Sequence, residues 1–266
     1  MPTSPATAAG CSPTARSPVR ANILITGASS GLGAGMAREF AARGRNLALC
    51  ARRTDRLTEL RDELLAAHPG IRVSVAALDV DDHEAVFAAF RAFRDELGSL
   101  DRVIVNAGLG KGQPLGTGYF HANVATARTN VLGALAQAEA ALEIMREQRQ
   151  GHLVMISSMS ALRGMPRNMT TYAATKAAVA TLAEGIRADV RGTGIAVSTI
   201  YPGYIRSEMN ERVKKAPFLV DTATGCRHLA AAIEREPAKA YVPRWPWAPL
   251  SVAMRTLPLS VVAKMT

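Results

Sequence analysis

The chain has 266 residues and a mass of 28.2 kDa, enough to bury one sizeable α/β core in a single domain. Hydrophobic residues make up 48% of the chain and charged residues 20%, a mixture that excludes a wholly disordered protein. The net charge of +10 comes from basic residues scattered through predicted helices, and no five consecutive residues carry like charges. We therefore expect solvated helix faces and no nucleic-acid partner.

The cysteines and the amino-terminal residues indicate the cellular compartment in which the protein works. Cys11, Cys50 and Cys226 are far apart and form no C-x-x-C pattern, so we expect neither a disulfide framework nor a metal site. A reducing cytoplasm fits this usage. Residues 1–19 are rich in Pro, Thr, Ser and Ala and lack the basic start and apolar stretch of a secretion signal, which predicts a disordered tail.

Short apolar runs alternate with helical patterns over residues 20–243. This alternation is typical of βαβ units and of a parallel sheet buried on both faces, so it predicts a doubly wound α/β (Rossmann) fold with three αβα layers. The predicted strands are 23–26, 47–51, 73–77, 103–105, 152–157 and 195–200, and the predicted helices are 31–43, 57–67, 84–97, 123–149, 171–190 and 222–235.

Two segments beyond Pro202 are less regular. Residues 204–220 read as a short helix and loop, and because ligands bind beyond the carboxyl ends of the strands, we interpret them as a substrate lid. Residues 244–266 are apolar with spaced basic residues, and an internal proline and arginine argue against a membrane span. Peripheral membrane contact, a partner-subunit contact and a flap over the substrate remain open for this segment. One helical face would carry Leu250, Met254, Leu257 and Val261.

The first predicted strand runs into a glycine-rich loop, residues 26–33, from which a helix opens. Glycines let the backbone turn tightly and approach a pyrophosphate, which the helix N-terminus then binds. The same loop contains Gly27-x-Ser29-x-Gly31, which matches the nucleophile elbow of serine hydrolases. That alternative is weak, because the loop follows the first strand and the last histidine, His228, is only seven residues after Asp221.

The end of the second strand predicts the choice of dinucleotide. NAD sites usually carry an acidic residue there, about 20 residues after the glycines, whereas this chain has Arg52 and Arg53. A guanidinium binds phosphate oxygens at two points and stays charged, so NADP(H) is favoured, with Arg52 as the preferred contact.

Tyr172 and Lys176 are four residues apart in a helical stretch, which puts both side chains on one face. An ammonium roughly 4 Å from a phenol contributes about 4 kcal/mol at an effective dielectric of 20, or about three pKa units. We therefore expect Tyr172 to be acidified by Lys176 and to act as the acid or base on a substrate oxygen.

These residues stand in a wider set of motifs that resembles the short-chain dehydrogenase/reductase family over about residues 20–243. The resemblance implies catalytic roles for Tyr172, Lys176 and Ser158, with Asn130 positioning a water in a proton relay. Ser158 lies fourteen residues before Tyr172, one more than is common, so Ser160 and, less favoured, Ser157 compete with it. Asn130 has an alternative structural role as a helix–helix hydrogen bond. The matching motifs are Thr26-Gly27-x-x-x-Gly31-x-Gly33, Asp79-Val80, Asn106-Ala107-Gly108, Asn130, Ser158, Tyr172-x-x-x-Lys176 and Pro202-Gly203.

The glycine loop and the resemblance together imply the dinucleotide contacts. Asp79 and Val80 would flank the adenine, Asn106 would support the cofactor and central sheet, and Ile205 would contact the carboxamide through its backbone. The full set is Gly27, Ser29, Ser30, Gly31, Leu32, Gly33, Arg52, Arg53, Asp79, Val80, Asn106, Ala107, Gly108, Tyr172, Lys176, Pro202, Gly203, Ile205 and Ser207.

Methionines and aromatic residues are frequent in the segments expected to border the site. Flexible thioethers and aromatic rings suit a bulky apolar ligand, although ordinary core packing explains them equally well. The sequence thus predicts an NADP(H)-dependent oxidoreductase acting on a carbonyl or alcohol, and a nucleotide-binding sensor or scaffold is the alternative. The family resemblance implies a homodimer or homotetramer. The methionines and aromatic residues expected to border the site are Met159, Met165, Met169, Met209, Phe218, Trp245 and Trp247.

Overall fold

In a computed structural model, which describes residues 19–210 and 217–262, one seven-stranded sheet runs through the molecule. Its order is β3-β2-β1-β4-β5-β6-β7 and every neighbouring pair is parallel, which confirms the doubly wound fold. The strands are β1 (Asn22–Thr26), β2 (Asn46–Ala51), β3 (Val73–Ala77), β4 (Arg102–Val105), β5 (Gly151–Ile156), β6 (Ile195–Pro202) and β7 (Lys239–Val242).

The predicted helices lie near their expected positions. Helix α2 begins one turn earlier than predicted, so that Asp55 falls in its first turn. The long helix predicted over 123–149 is three segments, with π-helical residues 128–133 between α4 and α5. The helices are α1 (Gly31–Ala41), α2 (Thr54–Ala67), α3 (His83–Leu97), α4 (Phe120–Ala127), α5 (Ala134–Gln148), α6 (Met169–Asp189), α7 (Thr222–Glu234), α8 (Arg244–Thr256) and α9 (Leu259–Val262).

Each face of the sheet carries its own apolar core, because successive strand residues point to opposite faces. On β1, Ile23 and Ile25 pack with α1, α2 and α7, whereas Leu24 packs on the other face with α3, α5 and α6. The strands are buried on both faces, which explains their continuous apolar sequences.

The strand order reverses between β1 and β4, and this switch point positions the candidate site. The connection after β1 leads to α1 on one face, and the chain after β4 leads to α4 and α5 on the other. A crevice therefore opens at the carboxyl ends of these two strands, where the glycine loop and residues 106–108 lie.

The structure also bears on the predicted tail and on the question of a membrane span. The tail predicted over 1–19 falls, except for Val19, outside the described residues. Within the described ranges, helices are too short or too polar to cross a bilayer.

Candidate active site

The glycine loop joins β1 to α1 through a tight backbone turn. Gly27 and Gly31 have φ of +64° and +53°, which favour glycine. A Cβ on Gly33 would lie 2.3 Å from the carbonyl oxygen of Gly27, so only glycine allows α1 to approach the loop this closely. The loop thus offers backbone N–H groups at the start of α1 to an anion.

Residues 106–108, after β4, are bonded directly to the glycine loop. The Asn106 side-chain amide donates to the Thr26 carbonyl oxygen at 2.8 Å. The Thr26 hydroxyl oxygen accepts from the backbone N–H groups of Asn106 and Ala107, both at 3.0 Å. Sequence reasoning missed Thr26 as a site residue, although it begins the matching motif. Asn106 thus ties the end of β4 to the glycine loop.

Arg53 lies against the glycine loop. Its guanidinium donates to the Ser29 hydroxyl at 3.3 Å and to the Ser30 hydroxyl at 2.7 Å. Arg52 instead lies 3.8 Å from the Asp79 carboxylate, and both of these side chains are largely exposed. Arg53 rather than Arg52, which the sequence favoured, is therefore the arginine that contacts the glycine loop. Because Ser29 is bonded to an arginine, the nucleophile-elbow alternative gains no support.

Lys176 and the three candidate serines meet at the carboxyl end of β5. Lys176 Nζ donates to the Ile156 carbonyl oxygen at 2.9 Å, and the Ser157 hydroxyl donates to the Lys176 carbonyl oxygen at 2.8 Å. The Ser157 hydroxyl thus donates its proton to a backbone carbonyl oxygen. The Ser158 hydroxyl oxygen accepts from the backbone N–H and the hydroxyl of Ser160, at 3.2 and 3.0 Å. Of the three serines, Ser158 is the one whose hydroxyl interacts with the Tyr172 hydroxyl.

The electrostatics of Tyr172 differ from the sequence expectation. Burial raises the pKa of Tyr172 above its ordinary value, and the hydrogen bond to Ser158 lowers it by less. Lys176 Nζ lies 6.0 Å from the centre of the tyrosine ring and is 5% exposed; burial lowers its pKa to about 8. The predicted acidification of Tyr172 is therefore wrong for the chain alone, because burial of the phenol raises its pKa by more than the Ser158 hydrogen bond lowers it.

Asn130 lies in the π-helical segment, and its side chain bonds Leu109 and Thr175. Its Oδ1 accepts from the Leu109 backbone N–H at 2.7 Å, and its Nδ2 donates to the Leu109 carbonyl oxygen at 2.9 Å and to the Thr175 hydroxyl at 3.0 Å. A Cβ on Gly108 would lie 3.1 Å from Asn130 Oδ1 and 3.5 Å from Lys176 Nζ. The amide thus makes the helix–helix hydrogen bond of the structural alternative and also borders the lysine.

Similarity to known proteins identifies the family. The model for short chain dehydrogenases matches residues 21–217. This chain is a member of the short-chain dehydrogenase family. It is 55% identical over 239 residues to an uncharacterized oxidoreductase of Mycobacterium tuberculosis, with 90% of this chain and 94% of the relative covered.

Solved structures of two other short-chain dehydrogenases share the fold. A short chain dehydrogenase/reductase from Burkholderia phymatum in complex with NAD matches with a TM-score of 0.80 and 22% identity, over 92% of this chain and 96% of that one. A short chain dehydrogenase from Burkholderia cenocepacia in complex with NADP matches with a TM-score of 0.78 and 24% identity, over 92% and 97%. This chain is accordingly an oxidoreductase of the short-chain type with a nucleotide-binding fold.

The crevice of this short-chain dehydrogenase fits a dinucleotide. The loop has glycines, without side chains, where the backbone must approach a ligand, and the Arg53 guanidinium lies beside the loop. Val80 is buried against Gly133, and Asp79 accepts a hydrogen bond from the Asp81 backbone N–H at 3.1 Å.

The described part of the predicted lid crosses the glycine loop. A Cβ on Gly31 would lie 3.3 Å from Ser207 Cβ, and Ile205 forms a backbone bridge with Val220. Gly203 is covered by Trp247, whose indole would lie 2.1 Å from a Cβ at that position. Residues 211–216 of the lid lie outside the described residues.

Helix α8 folds back onto the substrate side of the domain. Trp247 is 5% exposed and packs with Met159, the neighbour of Ser158, and with Leu250. Met254 and Leu257 pack against Met165 and Ala173. Three of the four residues predicted to form an apolar face are thus covered by the chain itself, as in the flap alternative; Val261 is exposed.

Proposed function

We propose that this chain interconverts a carbonyl and an alcohol with NADP(H), and that Tyr172 is the general acid and base. The juxtaposition of Tyr172, Ser158 and Lys176, with Lys176 next to Gly108, supports this function. A protein that merely bound a nucleotide would not need a phenol close to both a serine hydroxyl and a buried lysine.

The residues divide the chemistry of carbonyl reduction between them. The glycine loop and Arg53 would hold the reduced dinucleotide, which would supply a hydride for the carbonyl carbon. The Tyr172 hydroxyl donates its proton to the carbonyl oxygen, and the Ser158 hydroxyl orients that oxygen. The Lys176 ammonium stabilises the phenolate that remains, while Asn130 holds the Leu109 backbone beside the lysine.

The test is NADPH oxidation with a panel of hydrophobic ketones, comparing wild type with Tyr172→Phe. We expect the variant to lose at least about 100-fold in kcat, the usual contribution of general acid catalysis, and to keep its affinity for NADPH. Tyr119→Phe, which removes the same atom from an exposed residue, is the matched control. Activity that survives in Tyr172→Phe would refute the mechanism. Wild-type protein that binds NADPH but reduces no ketone would favour the sensor or scaffold role.

Arg53 supports the preference for NADP(H). A hydrogen bond to a charged group contributes about 1.5–3 kcal/mol, so Arg53→Gln should weaken NADPH binding about 10- to 100-fold and leave NADH binding unchanged. Arg52→Gln, beside Asp79, should have a smaller effect. Titration of both dinucleotides with both variants measures the difference, and equal losses for NADPH and NADH would contradict a phosphate contact.

The substrate that we propose is bulky and apolar. Phe218 from the lid and Trp247 from α8 make an edge-on contact with 6.0 Å between ring centres, and Tyr204 contacts the same indole at 5.8 Å. This aromatic wall adjoins Met159, next to the proposed catalytic serine. Apolar walls with a few polar groups are typical of sites for such ligands.

We also propose a homodimer or homotetramer working in the cytoplasm. Exposed Leu132 and Leu135 line a groove with Phe87, on the surface where α5 meets α3. A second copy would cover these leucines. Sedimentation of Leu135→Glu against wild type tests this, and a wild type that is monomeric at every concentration would contradict it. The membrane alternative predicts vesicle binding that is lost on truncation at Pro243.

A further inference from the structure

Glu208 holds the arginines that face the proposed phosphate site. Its Oε2 accepts from Arg53 Nη2 at 3.0 Å, and its Oε1 is bonded by Arg56 Nη1. The Ser30 hydroxyl also bonds this carboxylate, and together these donors lower the pKa of Glu208 to about 2. One ionised carboxylate is therefore bound by two guanidinium groups and a hydroxyl.

The same donors suit a phosphate monoester. Guanidinium groups bind phosphate and carboxylate oxygens with the same planar geometry. The Nη2 atom of Arg53 donates to Ser30 at 2.7 Å as well as to Glu208, so a phosphate on this guanidinium would meet the carboxylate. Two anions at that distance repel each other, and one must leave.

We propose that Glu208 determines the selectivity between NADP(H) and NAD(H), by competing with the 2′-phosphate for Arg53 and Arg56. This inference rests on the proposed function. A ribose 2′-hydroxyl carries no charge and does not compete for the arginines, so only the phosphorylated dinucleotide must displace Glu208. Arg56, which sequence analysis did not single out, becomes a second phosphate contact once the carboxylate moves.

The size of the effect follows from the exposure of the groups. Arg53, Arg56 and Glu208 are each about two-fifths exposed. Solvent screens such pairs, and each contributes little by itself. Loss of both pairs should therefore change the affinity for a phosphate by about three- to tenfold.

The experiment compares wild type with Glu208→Gln, which keeps the shape of the side chain and removes its charge. Affinities are measured for NADPH, NADH, 2′,5′-ADP and ADP, the last two by calorimetry. Glu208→Gln should bind NADPH and 2′,5′-ADP about three- to tenfold more tightly, with NADH and ADP unchanged. Glu59→Gln is the matched control, because it removes the same charge one turn along α2 from Arg56 and should change none of the four.

Three results would overturn the inference: unchanged or weaker NADPH binding by Glu208→Gln, an equal rise for all four ligands, or a loss of NADH affinity. The last would assign Glu208 to the ribose hydroxyl instead. A wild type that binds neither dinucleotide would contradict the proposed function itself, whereas a wild type that binds NADPH without any response to Glu208→Gln would contradict only this inference.

Discussion

Lys176 carries a buried charge at the centre of the proposed site. Its side chain is 5% exposed, and burial lowers its pKa from 10.5 to about 8. The Ile156 carbonyl oxygen is the hydrogen-bond acceptor nearest its ammonium, at 2.9 Å. Lys176 is thus protonated at neutral pH and loses its proton within the range in which enzymes are assayed.

This lysine should set the alkaline limit of carbonyl reduction. We expect kcat/KM to stay level up to about pH 8 and to fall above it, because the ammonium deprotonates there while burial keeps the Tyr172 phenol protonated. In Lys176→Arg the fall near pH 8 should disappear, since a guanidinium stays charged, although the rate will be lower. A wild-type profile that stays level to pH 9.5 would argue against Lys176 as the titrating group.

At the level of elements, α1 packs closely against the loop after β1 because Gly33 has no side chain. A Cβ on Gly33 would lie 2.3 Å from the Gly27 carbonyl oxygen and 2.9 Å from the Asn106 side-chain amide. Both neighbours lie at the crevice, so the close packing of α1 also sets the shape of the glycine loop.

Gly33→Ala should therefore damage stability and binding together. We expect a loss of about 1–3 kcal/mol in the free energy of unfolding, the usual cost of overpacking, and weaker NADPH binding. Gly185→Ala is the control, because residue 185 is an exposed position of α6 whose Cβ would meet none of the described atoms within 4 Å, and this variant should gain about 0.5–1 kcal/mol. Urea unfolding and dinucleotide titration measure both. Equal stability of the two variants would disprove the close approach.

Helix α8 connects the end of the chain to the substrate side. Trp247 fills the space over Gly203, so that β6, the lid and α8 share one aromatic cluster. The helix therefore acts as a wall of the proposed site as well as a cover for the core.

The two tryptophans of α8 make a matched pair for testing this. Trp247→Ala should cost about 3–5 kcal/mol and raise KM for bulky ketones more than for small ones, because a buried side chain is lost. Trp245→Ala, from a residue that is 78% exposed, should stay within about 0.5 kcal/mol of wild type. Thermal unfolding and KM for ketones of graded size provide the readouts, and equal effects of the two changes would exclude the wall.

For the whole molecule, a buried polar network ties the sheet together at the end opposite to the site. Arg102 Nε donates to His152 Nδ1 at 2.8 Å, so the His152 Nε2–H is left to donate to the Ser198 hydroxyl, also at 2.8 Å. Arg102 also binds Glu234 and Glu236, joining β4, β5 and β6 to the end of α7. Burial and the charge of Arg102 lower the pKa of His152 well below its ordinary value.

Stability should fall in mild acid for this reason. Unfolded histidine titrates near pH 6.5, whereas folded His152 stays neutral, so the unfolded chain binds the extra proton as the pH falls below about 6.5. We expect the free energy of unfolding in urea to decrease between pH 7.5 and 5.5. In His152→Gln, whose amide offers one donor and one acceptor, this decrease should be smaller; an identical slope would show that other groups cause it.

Local patterns were enough to predict most residues of the proposed site. The i, i+4 pair Tyr172 and Lys176 and the loop of residues 26–33 are each set by neighbours in the sequence; the loop follows β1, and Lys176 bonds Ile156 at the end of β5. The edge strand β7 was missed because four residues carry too little periodicity. The π-helical segment around Asn130 was read as part of a regular helix, since its apolar pattern does not change there.

The sequence by itself determined the parallel sheet, the tight turn of the glycine loop and the spacing of Tyr172 and Lys176 on one helix, because strand burial, glycine conformation and helical spacing act over a few residues. Only the tertiary structure decided that Arg53 rather than Arg52 lies on the loop, that Glu208 holds it, and that burial raises the Tyr172 pKa. Glu208 is 155 residues from Arg53 in the chain. Such a contact, like the burial of a phenol, depends on how distant elements pack, and no local pattern encodes it.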